Sequence, residues 1–292
     1  DFFENEPQME YVMKYDEIFF IDFAPSQWML DRMLERNITF KIFDHHEPGW
    51  EVLKDLPPSD NYEVHVDFER SGTEIFYDEY IKPNLVRTKP IVEYFVEMVS
   101  GYDLWKKDKP IWEDGLNLNR IFYGLMNFGQ SEYALIEPYV STQTSKLQTS
   151  NEWFWTEKEQ KLIKRAEERE DKMKALAEEN LSERIDSKGK EFGVIALPSK
   201  ISLGANYILE KYPHLYYVIA INTWGGGING KLSFRARERF DCNELCCAEG
   251  HGTAAGGHIQ VDEAFKLYNG SITAIRYNDE FESTGERFYV ND

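Results

Sequence analysis

The chain has 292 residues, of which 42% are hydrophobic, and it carries a formal net charge of -19. The hydrophobic fraction excludes a disordered protein, and the length predicts one large or two medium domains. The negative charge disfavours non-specific binding of long nucleic acid, because such binding depends on neutralised phosphates. An anionic substrate would therefore need a local positive centre, such as bound metal ions or a small group of arginines.

The sequence contains no apolar run of the roughly 18 residues that a membrane span requires, and no signal peptide. Its three cysteines, Cys242, Cys246 and Cys247, are odd in number and crowded, which is typical of free thiols in a reducing cytoplasm. We therefore expect a cytoplasmic protein with no membrane partner. The chain opens at Asp1 in what reads as the middle of a domain, so we also expect residues upstream of it.

Residues 17–22 and 39–44 are short apolar runs that each end in an acid, and residues 27–36 between them have a helical apolar pattern. Continuous apolar runs of this length are typical of strands buried on both faces, as in a parallel sheet. Strand, helix and strand at this spacing predict a βαβ unit. Asp22 and Asp44 then fall at the carboxyl ends of their strands, where open α/β sheets bind ligands.

Residues 152–182 form a long, highly charged segment without proline or glycine. Lysines and glutamates recur there three and four residues apart, which indicates a solvated helix, and Thr156 with Glu159 predicts a capping box near its start. We interpret this helix as a connector, residues 151–186, between an N-terminal domain and a C-terminal domain. A peripheral helix packed on one domain is an equally good interpretation.

The elements on either side of the connector complete the predicted organisation. The N-terminal domain, residues 1–150, and the C-terminal domain, residues 187–292, are each predicted to be α/β. Further helices are predicted over residues 71–80, 89–100, 116–128 and 133–140, and a second α/β unit has predicted strands 192–197, 216–222 and 231–237 with a helix over 203–212.

The tripeptide Asp44-His45-His46 at a predicted strand end is the most specific feature of the sequence. Imidazole and carboxylate together suit manganese, zinc or iron. A turn with two solvated histidines is the competing interpretation, because short motifs arise by chance. Asp22 strengthens the metal interpretation: it ends the neighbouring strand, and adjacent strands lie about 5 Å apart. Its own alternative role is that of a helix cap or turn acid before Pro25.

Asp103 lies at the end of a predicted apolar helix, in the sequence Ser100-Gly101-Tyr102-Asp103-Leu104-Trp105. The helix dipole disfavours an acid at a C-terminus, so its placement there invites a functional explanation. A solvated loop acid is the alternative, because the dipole effect is worth only about 0.3–1 kcal/mol.

A third group of residues follows in the C-terminal half, where Glu249 to His258 is rich in glycine and alanine. Small residues let backbone approach a ligand, and their N–H groups can cradle phosphate oxygens. Upstream, Arg235 and Arg237 alternate on one face of a predicted strand, and guanidinium groups suit phosphates. Tight helix packing and solvated arginines are the structural alternatives for these two features.

The order of these features resembles the DHH phosphoesterases with their DHH-associated C-terminal domain, a group that contains RecJ-like exonucleases, nano-RNases and cyclic-dinucleotide phosphodiesterases. The stretch of residues 20–26, Phe-Ile-Asp-Phe-Ala-Pro-Ser, resembles the oligoribonuclease branch. The resemblance implies an α/β fold in which a parallel-sheet DHH domain is joined by a long helix to a smaller α/β domain, with the active-site cleft between them.

The resemblance also implies a role for each matching residue. Asp22 corresponds to the acid that bridges two metal ions, and His45 and Asp103 correspond to ligands of one of those ions. His46 corresponds to the catalytic residue that contacts the scissile phosphate. Asp44 corresponds to the acid that orients the histidines, as metal-site histidines commonly require. The implied cofactor is manganese, with two ions in the complete protein.

In the C-terminal domain the resemblance implies a pocket for the far end of the substrate around His251, together with a substrate-binding arginine at position 235. The predicted substrate-binding residues are therefore Arg235, Arg237, Gly250, His251, Gly252 and Thr253.

The sequence departs from the family pattern in two respects. The first family motif, His-x-Asp-x-Asp on a preceding strand, is absent from these residues, and Glu249 stands where a glycine is usual. Without that motif, Asp22, His45 and Asp103 would hold one ion weakly. An added carboxylate beside a phosphate pocket would alter the choice of substrate.

Three functional hypotheses follow. The first is a two-metal phosphodiesterase acting on short oligonucleotides or small nucleotides, cyclic ones included. The second is a non-catalytic protein that binds or sequesters nucleotides. The third is a RecJ-like single-strand exonuclease, which would need a strand-binding domain and a positive channel that this acidic sequence does not show. None of them predicts binding of long duplex nucleic acid.

Overall fold

A computed structural model describes residues 14–125, 133–222, 229–245 and 248–260 together with residue 267, and for residues 48, 133–135, 229–230, 249, 251 and 259–260 it describes the backbone alone. The chain divides into two compact units, Asp1–Ile163 and Lys164–Asp292. Both are mixed α/β, which confirms the predicted fold class. Cys246 and Cys247 lie outside the described residues, and Cys242 is buried.

The first unit is built on a parallel sheet of strands β1 (Glu17–Ile21), β2 (Thr39–Asp44) and β3 (Tyr62–Val66), in that spatial order. The register pairs Ile21 of β1 with Phe43 of β2, so the two strands end side by side. The predicted βαβ unit is confirmed, whereas β3, in which polar and apolar residues alternate, was not predicted.

Helix α1 (Gln27–Glu35) connects β1 to β2 and covers the sheet. It begins at Ser26, whose hydroxyl oxygen accepts a hydrogen bond from the backbone N–H of Met29 at 3.4 Å, the usual role of serine at this position. The helix buries Met29, Leu30 and Met33 completely against the sheet. Truncation of any one of them to alanine would cost about 2–5 kcal/mol of stability.

The remaining helices of the first unit follow the sheet. They are α2 (Glu47–Leu53), α3 (Gly72–Phe76) with the π-helical turn Tyr77–Ile81, α4 (Pro90–Asp103), α5 (Ile111–Leu125) and α6 (Tyr133–Thr149). Proline at the first position of α4 suits a helix start, because that N–H has no partner within the helix. The helix predicted over residues 116–128 is described as far as Leu125.

The predicted long helix is α7 (Glu157–Glu179), and the division between the two units falls within it. Its predicted capping box is confirmed. The backbone N–H of Thr156 donates to the Glu159 carboxylate at 2.8 Å, and the N–H of Glu159 donates to the Thr156 hydroxyl at 3.3 Å. No helix in the described ranges combines the length and the apolar character that crossing a membrane requires.

The second unit contains one six-stranded sheet with the order β4-β5-β6-β7-β9-β8. The strands are β4 (Ser182–Ile185), β5 (Glu191–Leu197), β6 (Tyr217–Asn222), β7 (Asn229–Ala236), β8 (Glu249–His251) and β9 (Ala254–Gln260), and helix α8 (Ile201–Lys211) connects β5 to β6. Only the β5–β6 pair is parallel among these strands. Buried side chains cover both faces of the sheet, which explains why β5 and β6 are almost wholly apolar.

Candidate functional site

Three side chains from separate stretches of the first unit converge at the carboxyl edge of its sheet. Nε2 of His45, directly after β2, lies 3.5 Å from Oδ1 of Asp22, directly after β1. The same nitrogen lies 3.3 Å from Oδ2 of Asp103, the last residue of α4. One ligand atom from each residue lies within 4.8 Å of the others. The structure thus brings together the three residues predicted to bind metal.

The position of Asp22 is fixed by its backbone and by a close approach of α3. Its φ angle of 69° lies in the left-handed region, and its N–H donates to the carbonyl oxygen of Phe43 at 2.8 Å. Its Oδ1 accepts a hydrogen bond from the N–H of Gly72 at 3.0 Å. A Cβ atom at residue 72 would lie 2.4 Å from the backbone nitrogen of Asp22, so only glycine allows this contact.

Gly72 is a site residue that the sequence reasoning missed. Ser71 and Glu74 have the spacing of a helix N-terminus, but this spacing predicts only the start of the helix and not its contact with Asp22. In the structure the Ser71 hydroxyl accepts from the N–H of Glu74 at 3.2 Å and begins α3 beside Asp22.

Asp44 and His46 form a second pair at the same strand end. Asp44 is fully buried as the last residue of β2, and its Oδ1 lies 2.7 Å from Nδ1 of His46. The hydrogen bond to Asp44 raises the pKa of His46 above its usual value, and the charges of Asp44, Asp22 and Asp103 act in the same direction. The ring centroids of His45 and His46 are 4.2 Å apart, so this pair adjoins the metal-binding candidates.

The electrostatics of the cluster suit a cation. Burial and the nearby negative charge of Asp22 raise the pKa of Asp103 to about 6, because the two carboxylates lie close together. Oδ2 of Asp103 is buried and makes no hydrogen bond within the described part of the chain. A divalent cation would stabilise both carboxylates and would complete the bonding of this atom. Two carboxylates and an imidazole are a donor set that manganese, iron and zinc accept.

The predicted substrate residues of the second unit lie around the β8–β9 hairpin. Arg235 of β7 pairs in register with Ala254, and the N–H of Ala236 donates to the carbonyl oxygen of Thr253 at 2.9 Å. Gly250 has a φ of 151°, and a Cβ there would lie 2.7 Å from the carbonyl oxygen of Ala254. The glycine-rich segment is therefore a tight antiparallel hairpin, and the alternative of close helix packing is wrong.

The two arginines make different contacts. Arg235 donates from Nη1 to the carbonyl oxygen of Phe234 at 2.7 Å, and burial lowers its pKa from the ordinary value. Arg237 donates from Nε to the carbonyl oxygen of Leu215 at 3.0 Å, and from Nη2 to the carbonyl oxygens of Leu209 and Tyr212. Its guanidinium therefore binds the C-terminal end of α8, and its substrate role stays a prediction.

The fold and the Asp-His-Asp cluster at a parallel-sheet edge are similar to what the sequence resemblance to the DHH phosphoesterases implies. No family model matches the chain. The chain is 24% identical over 271 residues to oligoribonuclease NrnB of Bacillus subtilis (strain 168), in a match that covers 87% of this chain. That match covers 62% of NrnB, so the chain spans less than two thirds of this relative's length.

Two solved structures share the fold. One is the DHH domain of a member of the S1p family of ribosomal proteins, with a TM-score of 0.55, 15% identity and coverage of 92% of this chain and 74% of the other. The second is PggH, a pGpG-specific phosphodiesterase from Vibrio cholerae, with a TM-score of 0.50, 15% identity and coverage of 88% and 97%. These comparisons confirm the resemblance to the DHH family that the sequence motifs indicate.

Proposed function

We propose that this protein is a metal-dependent phosphodiesterase that hydrolyses short oligonucleotides or small nucleotides, cyclic ones included. The observation that carries the proposal is the convergence of Asp22, His45 and Asp103 at the carboxyl edge of the parallel sheet. The names of two relatives support the substrate class, since NrnB is an oligoribonuclease and PggH is a pGpG-specific phosphodiesterase.

Asp22, His45 and Asp103 would hold the cation, which we propose is manganese, with a second ion bound through Asp22. Bound metal would lower the pKa of a water molecule and neutralise charge on the phosphate. The residues themselves fix the geometry of the site: Asp22 is held by the Gly72 N–H, and Asp103 is held at the end of α4. This rigidity suits catalysis, because a misplacement of about 1 Å can cost about 100-fold in rate.

His46 is the proposed catalytic residue. Asp44 accepts from its Nδ1, so Nε2 is the nitrogen that would reach a phosphate oxygen of the substrate. A proton held at Nε2 would stabilise charge on that oxygen or be transferred to the leaving oxygen, a contribution typically worth about 10²–10⁴-fold in rate. The buried Asp44 acts through His46 by fixing its ring and its proton.

We propose that Arg235, with the hairpin residues Gly250 to Thr253, binds the far end of the substrate. A substrate that is small in size is consistent with the net charge of -19, which would repel a long polyanion. We also propose that the protein acts in the cytoplasm, where short oligonucleotides and cyclic nucleotides occur.

The test is hydrolysis of a dinucleotide by the full-length protein with and without manganese. We expect manganese-dependent turnover that His45→Ala abolishes, while Asp31→Ala, which removes an exposed acid from α1, leaves it unchanged. Manganese-independent turnover, or equal turnover in His45→Ala, would refute the metal mechanism. Tight nucleotide binding without turnover would favour a sequestering protein instead.

A further inference from the structure

The chain places tryptophan where helices normally place glycine. Helix α4 ends in two hydrogen bonds, from the N–H of Trp105 to the carbonyl oxygen of Tyr102 at 3.2 Å and from the N–H of Lys106 to that of Gly101 at 2.9 Å. This pair of bonds is the Schellman motif, and Trp105 occupies its left-handed position with a φ of 56°. A residue with a Cβ is disfavoured there, and glycine is the usual solution.

Burial does not explain this choice, because the Trp105 side chain is 50% exposed. Its ring makes a T-shaped contact with that of Trp112, with ring centroids 5.8 Å apart and an interplanar angle of 81°. Nζ of Lys107 lies 4.7 Å from its ring centroid. A large apolar ring is thus held in a strained backbone position, with the Lys107 ammonium over one face and about half of the residue open to solvent. Strain of this kind clusters at functional sites.

The ring is close in the chain to the candidate metal site. Trp105 lies two residues after Asp103, whose Oδ2 lies 3.3 Å from Nε2 of His45. We propose that Trp105 is a stacking platform for a nucleobase of the substrate on the ring face opposite Lys107, whose ammonium would attract an adjacent phosphate. This inference rests on the proposed function and deepens it, because it predicts a nucleoside on one side of the scissile bond. The ammonium of Lys107 also provides local positive charge in an acidic chain.

Removal of one base–aromatic stack typically weakens binding by about 5- to 150-fold. The informative variants are Trp105→Ala, Trp105→Phe and Trp105→Gly. The glycine variant relieves the left-handed backbone strain, so we expect its unfolding temperature to stay within about 4 °C of the wild type. Tyr123→Ala is the matched control, because Tyr123 is also a half-exposed aromatic residue. It lies about 18 Å along α5 from Ile111, the residue of that helix nearest to Trp105 in the chain.

The experiment compares the full-length variants on two substrates, the 5′-phosphorylated adenine dinucleotide and the same compound with both bases replaced by hydrogen. On the dinucleotide, we expect Trp105→Ala and Trp105→Gly to lower kcat/KM about 5- to 150-fold, mainly through KM. Trp105→Phe should retain most activity, and Tyr123→Ala should behave as wild type. On the base-free substrate all variants should match the wild type.

The stacking platform is overturned if Trp105→Ala matches the wild type on the dinucleotide, or if both substrates lose equally. The proposed function fails separately if the wild type cleaves neither substrate with manganese. In that event, calorimetry measures dinucleotide affinity of the wild type and Trp105→Gly. Weaker binding by the variant supports the platform, and equal affinity or no binding by the wild type overturns it.

Discussion

Oδ1 of Asp44 lies 2.7 Å from Nδ1 of His46, and the aspartate is fully buried at the end of its strand while the histidine side chain is 37% exposed. The pair therefore connects the interior of the sheet to the surface where a substrate would bind. Because the buried carboxylate contacts Nδ1, it orients the imidazole and leaves Nε2 as the nitrogen that would face a substrate.

This relationship predicts that the two residues act as one unit. We expect His46→Ala to lower kcat/KM for a dinucleotide by about 10²–10⁴-fold and Asp44→Asn by about 10–100-fold. The double variant should be no worse than His46→Ala alone, because Asp44 acts through the imidazole. A double-mutant cycle measures this coupling. Losses that simply multiply would show that Asp44 acts independently of His46.

A second prediction concerns Gly72. In Gly72→Ala the new methyl group would lie 2.4 Å from the backbone nitrogen of Asp22, so α3 or the Asp22 turn must shift. We expect a loss of about 1–3 kcal/mol in the free energy of unfolding and a weaker metal site. Thermal unfolding and manganese titration measure the two effects.

Gly124→Ala is the matched control, since a Cβ there would make ordinary contacts with Leu162 from 3.4 Å outward. It lies inside a helix, where alanine is favoured by roughly 0.5–1 kcal/mol. If Gly72→Ala were as stable and as active as Gly124→Ala, the close approach of α3 to Asp22 would not matter.

The sequence predicts some of this site better than the rest, for physical reasons. Asp22 and His45 were predicted to be neighbours because two apolar runs imply adjacent parallel strands that end at one edge. The Gly72–Asp22 bond joins residues 50 positions apart through a backbone N–H, and no side-chain pattern indicates such a contact. The β8–β9 hairpin was missed as strands because its glycines and alanines have low strand propensity. The carbonyl oxygens that bind Arg237 are backbone atoms and leave no trace in the sequence.

A third prediction concerns stability at low pH. Lys146 and Glu159 are both 4% exposed, and the Lys146 ammonium lies 2.6 Å from the Glu159 carboxylate and 4.8 Å from the centroid of Trp153. Burial alone would raise the pKa of Glu159, but hydrogen bonds from Lys146 and Thr156 outweigh it and lower the pKa below the ordinary 4.5. A lowered pKa means that the carboxylate stabilises the folded state fully above pH 4.5 and loses this contribution as the pH falls below it.

Lys146→Met should therefore cost about 3–5 kcal/mol at neutral pH, because it leaves a buried carboxylate without its partner. Replacing both residues, as Lys146→Met with Glu159→Leu, should restore much of that loss and should flatten the decline in stability below pH 4.5. Denaturant unfolding between about pH 3 and pH 8 measures the loss in the single variant and the pH dependence of the double variant. If the free energy of unfolding of the wild type and of the double variant depended on pH identically, the Lys146–Glu159 pair would not cause the loss of stability at low pH.

A fourth prediction separates the two arginines of the second unit. Arg237→Ala removes hydrogen bonds to the carbonyl oxygens of Leu209, Tyr212 and Leu215, so we expect it to lower the free energy of unfolding by about 1.5–3 kcal/mol. Arg235→Lys should instead raise KM with little change in stability, because lysine keeps the charge but loses the planar guanidinium. Thermal unfolding together with steady-state kinetics distinguishes the two. A stable Arg237→Ala variant with a raised KM would instead indicate that Arg237 binds the substrate.

The most direct test of the account is a titration of manganese into the full-length protein, with free manganese followed by electron paramagnetic resonance. The wild type and Asp31→Ala should bind the ion alike, whereas His45→Ala and Asp103→Ala should each bind it at least about tenfold more weakly. Equal manganese affinity in all four proteins would show that Asp22, His45 and Asp103 do not form a metal site, and the proposed phosphodiesterase mechanism would fall with it.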